Sequence, residues 1–144
     1  LGLGTKFDDL KKLSSTLNLD NNINFLGFKN FDEKIKYIEE CDLFFVPSKK
    51  TKGQIDGGPL TVIEAMSMGK ICIVSDSIGF STHCNENNSI VFKSGDVEDL
   101  IKSILYASNL SEKNKKNIAK EAITLSNDFR FSKIAKEHND FFFS

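Results

Sequence analysis

Apolar and polar positions alternate along this chain with two periods, one helical and one strand-like. From Lys6 to Leu17, Phe7, Leu10, Leu13 and Leu17 fall roughly on one face of a helix. Ile23 to Leu26 is a short apolar run that predicts a strand. Asn30 stands where an N-cap would, with Glu33 three residues on to complete a capping box, and Phe31, Ile35 and Ile38 form the inner stripe of the helix that follows. Leu43 to Val46 is continuously apolar, as a strand covered on both faces would be, and Pro47 ends it. A polar, glycine-containing loop runs from Ser48 to Gly58. Pro59 then fits a first helical position and Gly69 a helix stop. Ile71 to Val74 and Ile90 to Phe92 predict two more buried strands. Asp96 predicts a cap for a helix whose apolar face is Val97, Leu100, Ile101, Ile104 and Leu105. Two further helices follow Ser111, the last with Ile134, His138 and Phe141 on one stripe.

Strands separated by helices of about ten residues imply βαβ units and a parallel sheet. The expectation is an α/β fold, an open doubly wound parallel sheet, with residues 1–144 forming a single domain. Ligands of such sheets bind at the carboxyl ends of the strands, here the loops after Leu26, Val46 and Val74.

Composition narrows the function. The net charge of −1 offers no electrostatic footprint for nucleic acid. Arg130 is the only arginine, so bidentate clamps on phosphate are nearly absent. No window approaches the roughly 18 consecutive apolar residues of a membrane span, and no signal peptide is evident. Cys41, Cys72 and Cys84 are odd in number and lack CxxC spacing, which predicts reduced thiols and a cytoplasmic setting. The sequons at Asn87 and Asn109 are then chance matches. There is no phosphate-binding loop of the Gly-x4-Gly-Lys type, no His/Cys set at metal-ligand spacing and no Gly-x-Ser-x-Gly elbow; Gly2-Leu3-Gly4 lacks the third glycine of a dinucleotide fingerprint. No metal and no cofactor is expected.

The stretch from Asp56 to Met66 carries the chemistry. Gly57 and Gly58 allow close approach of backbone to a ligand. The helix after Pro59 would offer the N–H groups of Leu60, Thr61 and Val62 together with the positive end of its dipole, an anion site for which a diphosphate is the natural guest. Glu64, about one turn in, could accept two hydrogen bonds from a sugar diol beside that phosphate. Lys49, Lys50 and Lys52 crowd the preceding loop; they read as a solvated segment, with attraction of an anionic donor or of the inner membrane's anionic surface as the sharper alternative.

Six segments in register resemble the C-terminal domain of the family-4 ("group 1") retaining glycosyltransferases of GT-B fold. They are Gly2-Leu3-Gly4, Asn24-Phe25-Leu26-Gly27-Phe28, Cys41 through Ser48, Asp56 through Met66, Gly69 through Ser75, and Gly95 through Leu100. The resemblance implies a Rossmann-like donor-binding domain lacking its first strand-helix unit, and a partner N-terminal acceptor domain outside this chain. The implied substrate is a UDP- or GDP-sugar, for transfer with retention in bacterial surface polysaccharide or glycoconjugate synthesis, without metal. The last phenylalanines, Phe141 to Phe143, would pack on the partner domain. By the same resemblance, Glu64 would bind the ribose, the amides of Leu60, Thr61 and Val62 the diphosphate, Asp56 the donor sugar, and Gly27 and Phe28 the base. Two positions depart from the pattern. Asp56 stands for the usual Glu, and Ile78-Gly79-Phe80-Ser81-Thr82 stands where the family has "G-G-x-P-E", so that Thr82 replaces an acid. A GT-B-fold sugar-nucleotide epimerase and a non-catalytic nucleotide-binding module are the alternative readings.

Overall fold

A computed structural model describes residues 4–49 and 60–143, the last including Glu137, His138, Phe142 and Phe143 in backbone only. The element order is α1 (Phe7–Thr16), α2 (Phe31–Glu40), β1 (Leu43–Val46), α3 (Leu60–Ser67), β2 (Ile71–Ser75), a 3-10 turn (Gly79–His83), β3 (Ile90–Phe92), α4 (Val97–Ser108), α5 (Glu112–Asp128) and α6 (Phe131–Phe143). The chain falls into two compact units, residues 1–37 and 38–144.

The larger unit is built on a parallel sheet in the order β1-β2-β3, with Leu43 opposite Ile71 and Ile73 opposite Ile90. All five residues of β2 are buried, because helices cover both faces. Alternate side chains sort by face. Cys72 and Val74 pack with Val62, Ala65 and Met66 of α3 and Ala122 of α5. Ile71 and Ile73 pack with Ile90, Phe92, Ala107 of α4 and Ile118 of α5. The expected open, doubly wound parallel sheet is thus present, with α5 contributing to both layers.

The helix ends follow their sequence signals. Glu33 N–H donates to Asn30 Oδ1 at 2.9 Å and Asn30 N–H to Glu33 Oε2 at 3.1 Å, the reciprocal pair of a capping box. Asp96 Oδ1 accepts from Asp99 N–H at 3.0 Å and Ser111 Oγ from Asn114 N–H at 3.3 Å. Helix α3 stops at Gly69, whose φ of +68° lets Gly69 N–H reach Met66 O and Lys70 N–H reach Ala65 O, a Schellman closure.

Several expectations fail. Ile23–Leu26 forms no strand: it pairs with no other strand among the described residues, and a lone extended segment has no ladder to join. The apolar stripe of α1 is not a core face, since Leu10, Leu13 and Leu17 stay about half exposed. On α4 only Leu100 and Ile104 of the expected face pack inward, while Val97, Ile101 and Leu105 are exposed; one sheet face is narrower than that five-residue stripe. Phe31 is likewise exposed, and of the α2 stripe Ile38 alone is buried.

Candidate functional site

The sequence-derived site begins at α3. Its Val62, Ala65 and Met66 have no exposure beyond the core, so the helix is pinned along one face against β1 and β2. That anchoring leaves Leu60, in the first described turn, exposed and Thr61 half-buried. The N–H groups of a first turn point out along the helix axis and lack intrahelical acceptors, which is the arrangement an anion requires. Glu64 is half-buried, and its Oε2 is shielded from solvent. Asp56, Gly57 and Gly58, like Pro59, lie outside the described residues. Gly27 and Phe28 belong to the smaller unit. There Gly27 has a φ of +64° and helps line a cavity of about 360 Å³ with Phe7, Phe25 and Leu26, while Phe28 is exposed.

A second feature escaped the sequence reading. Each strand of the sheet is followed, two residues on, by a serine: Ser48 after β1, Ser77 after β2 and Ser94 after β3. All three meet. Ser77 Oγ donates to Ser48 O at 2.8 Å, and Ser94 Oγ donates to the same oxygen at 3.3 Å. Ser94 N–H donates to Asp76 Oδ1 at 2.8 Å, and Asp76 N–H to Phe92 O at 2.9 Å. The carboxyl ends of the three strands are therefore tied into one rim. The repeated spacing was visible in the sequence, but its meaning depends on the strand order, which adjacent ends alone reveal.

The thiols are all free, and burial pushes Cys72 well above the usual range and raises Cys84 and Cys41. These are packing residues. His83 stacks edge-on with Phe129 at 5.0 Å and lies 5.6 Å from Phe80, an aromatic cluster. The side chain of His138, expected on an apolar stripe, lies outside the described residues. No described helix is long and apolar enough to cross a membrane.

Residues 1–124 match the family described as glycosyl transferases group 1, and the chain belongs to that family. It is 29% identical over 90 residues to the amylovoran biosynthesis glycosyltransferase AmsK of Erwinia amylovora, covering 62% of this chain and 22% of that protein. Its fold resembles a glycosyltransferase of Rickettsia africae (TM-score 0.79, 23% identity, 93% of this chain and 35% of that one). It also resembles HepE of Anabaena in complex with UDP-glucose (TM-score 0.77, 21% identity, 96% and 39%). The chain thus spans between about a fifth and two fifths of the length of these relatives.

Proposed function

We propose that this group 1 family member is the donor-binding part of a glycosyltransferase, residues 1–144 forming the domain that holds a nucleotide-diphosphate sugar, UDP- or GDP-linked. The observation that carries this reading is α3: a helix fixed to the sheet through Val62, with its first turn at the ligand end of a parallel sheet and a half-buried Glu64 one turn in. The likeness to a fold solved with UDP-glucose supports the same class of donor.

In this reading the amides of Leu60, Thr61 and Val62 and the turn at Gly57 and Gly58 take the diphosphate, and Glu64 takes the ribose diol. Gly27 and Phe28 meet the base. Asp56 orients the donor sugar. As the glycosidic bond breaks, negative charge builds on the leaving diphosphate, and the positive end of α3 stabilises it where water is excluded. The acceptor that supplies the hydroxyl is held mostly by a domain outside this chain, the product retains the anomeric configuration, and the pathway builds a bacterial surface polysaccharide or glycoconjugate. This chain alone binds nucleotide and transfers nothing.

Calorimetry with UDP and GDP on wild type and Glu64→Ala tests the assignment. Hydrogen bonds to a charged group are worth about 1.5–3 kcal/mol, so affinity should fall roughly ten- to a hundredfold. Unchanged affinity would remove Glu64 from the ribose site.

A further inference from the structure

The rim of serines borders a cavity of about 520 Å³ at the carboxyl ends of the strands, lined among others by Lys49, Ser77, Ser81, Thr82, Lys93 and Ser94. No residue of α3 lines it. Its hydroxyls are committed to the framework: Ser77 and Ser94 donate to Ser48 O, Ser81 to Asp76 O at 3.1 Å and Thr82 to Gly79 O at 3.2 Å. The charged residues that line it are two lysines from different strand ends, Lys49 and Lys93, against one acid, Asp76, whose Oδ1 already accepts from Ser94 N–H. Among the described residues neither lysine forms an ion pair. Thr82 is the position at which the family pattern carries an acid. A glutamate there would stand in the same wall as both lysines; threonine leaves the wall net positive. An exposed ammonium with three donors is a point charge suited to phosphate or carboxylate oxygens.

We infer that this cavity is an oxyanion subsite for the acceptor, binding a phosphate or carboxylate group of the molecule that receives the sugar, separately from the nucleotide. The inference rests on the donor reading of α3 only for the word acceptor; the anion site itself is read without it. The ligand class is accordingly an anionic glycan or glycolipid rather than a neutral alcohol.

The probe is inorganic phosphate at low ionic strength, followed by backbone amide shifts of the full chain with and without saturating UDP. Phosphate should perturb the amides of Ser77, Ser81, Thr82 and Ser94, and should still do so with UDP bound. Thr82→Glu and Lys93→Gln should each weaken phosphate by about tenfold, the scale of one charge at a partly solvated contact. Thr82→Ser should leave it within about twofold, since it keeps the hydroxyl and adds no charge. Displacement of phosphate by UDP would make the cavity part of the donor's diphosphate site and overturn the inference. So would an absence of shifts at these residues, or a Thr82→Glu variant that binds phosphate like wild type. Glu64→Ala separates the two readings: it should weaken UDP and leave phosphate unchanged, so an unaffected UDP affinity defeats the donor reading while the phosphate arms decide this one.

Discussion

In the larger unit, Ile73 of β2 has no exposed surface at all; in the smaller unit, Leu13 of α1 keeps 52% of its own. Leu13 sits on an apolar helical stripe and Ile73 in a continuously apolar strand. The difference lies in what stands opposite. Ile73 meets Ile90 in the next strand and the side chains of α4 and α5, whereas the smaller unit contributes no buried apolar side chain before residue 38 among those described. A periodic face therefore reports which way an element would turn, and a second layer is needed before that face becomes a core.

The sharpest way to break this comparison is to truncate both. Ile73→Ala removes a fully buried side chain from between two layers and should cost about 2–5 kcal/mol, read as a fall in the urea midpoint. Leu13→Ala should cost less than about 1 kcal/mol, because half its surface is already in water and alanine favours the helix. Equal losses at the two sites would mean that the α1 stripe is covered in solution.

A smaller effect is expected at the stop of α3. Gly69 has a φ of +68°, and an added Cβ would lie 3.3 Å from Ile123 Cδ1. That neighbour is the flexible end of a side chain and can give way, so the backbone conformation sets the cost. Gly69→Ala should lose about 1–2 kcal/mol, measured in the same urea titration. A neutral result would show that α3 can end without its left-handed residue.

What could be read from the sequence divides along the same line. Asn30 with Glu33, Asp96, Ser111 and Gly69 were legible as helix ends because each acts on backbone within a few residues of itself. The strands at Leu43, Ile71 and Ile90 were legible as continuous apolar runs, although only β2 is buried throughout as such a run predicts: Phe45 of β1 and Val91 of β3 are exposed. Ile23–Leu26 is apolar save for Asn24, yet a strand exists only with a partner. The outward residues Val97, Ile101 and Leu105 could not be told from Leu100 and Ile104, since helical period fixes an arc and not its covered width. Of the candidate site, Glu64 and the turn of α3 followed from local pattern. The cavity of Lys49, Thr82 and Lys93 joins segments that follow three different strands, and became visible only once the strands lay side by side.

The smallest expected effect tests whether a local signal operates without a core around it. Glu33 belongs to the unit that buries little, and its carboxylate has two partners: Asn30 N–H at 3.1 Å and Lys29 Nζ at 3.2 Å. The backbone hydrogen bond from Asn30, and then the hydrogen bond from Lys29, hold its pKa below the ordinary glutamate value. A folded-state pKa that is depressed adds stability which is fully present above the unfolded value and is lost as pH falls through the folded one. The start of α2 should therefore hold at neutral pH and loosen only in acid, below the range where a free glutamate titrates. The carboxyl carbon shift of Glu33 followed against pH would give the midpoint, and exchange of the Asn30 amide would report the hydrogen bond itself. Glu33→Gln can still accept from Asn30 N–H but carries no charge, so it should fray the first turn of α2 slightly at neutral pH and remove the acid-dependent step. If Glu33 titrates like a glutamate in an unfolded peptide, or if the Asn30 amide exchanges equally fast in the variant and the wild type at neutral pH, the capping box does not hold in solution. The helix start would then depend on the rest of the fold, as the burial of Ile73 does.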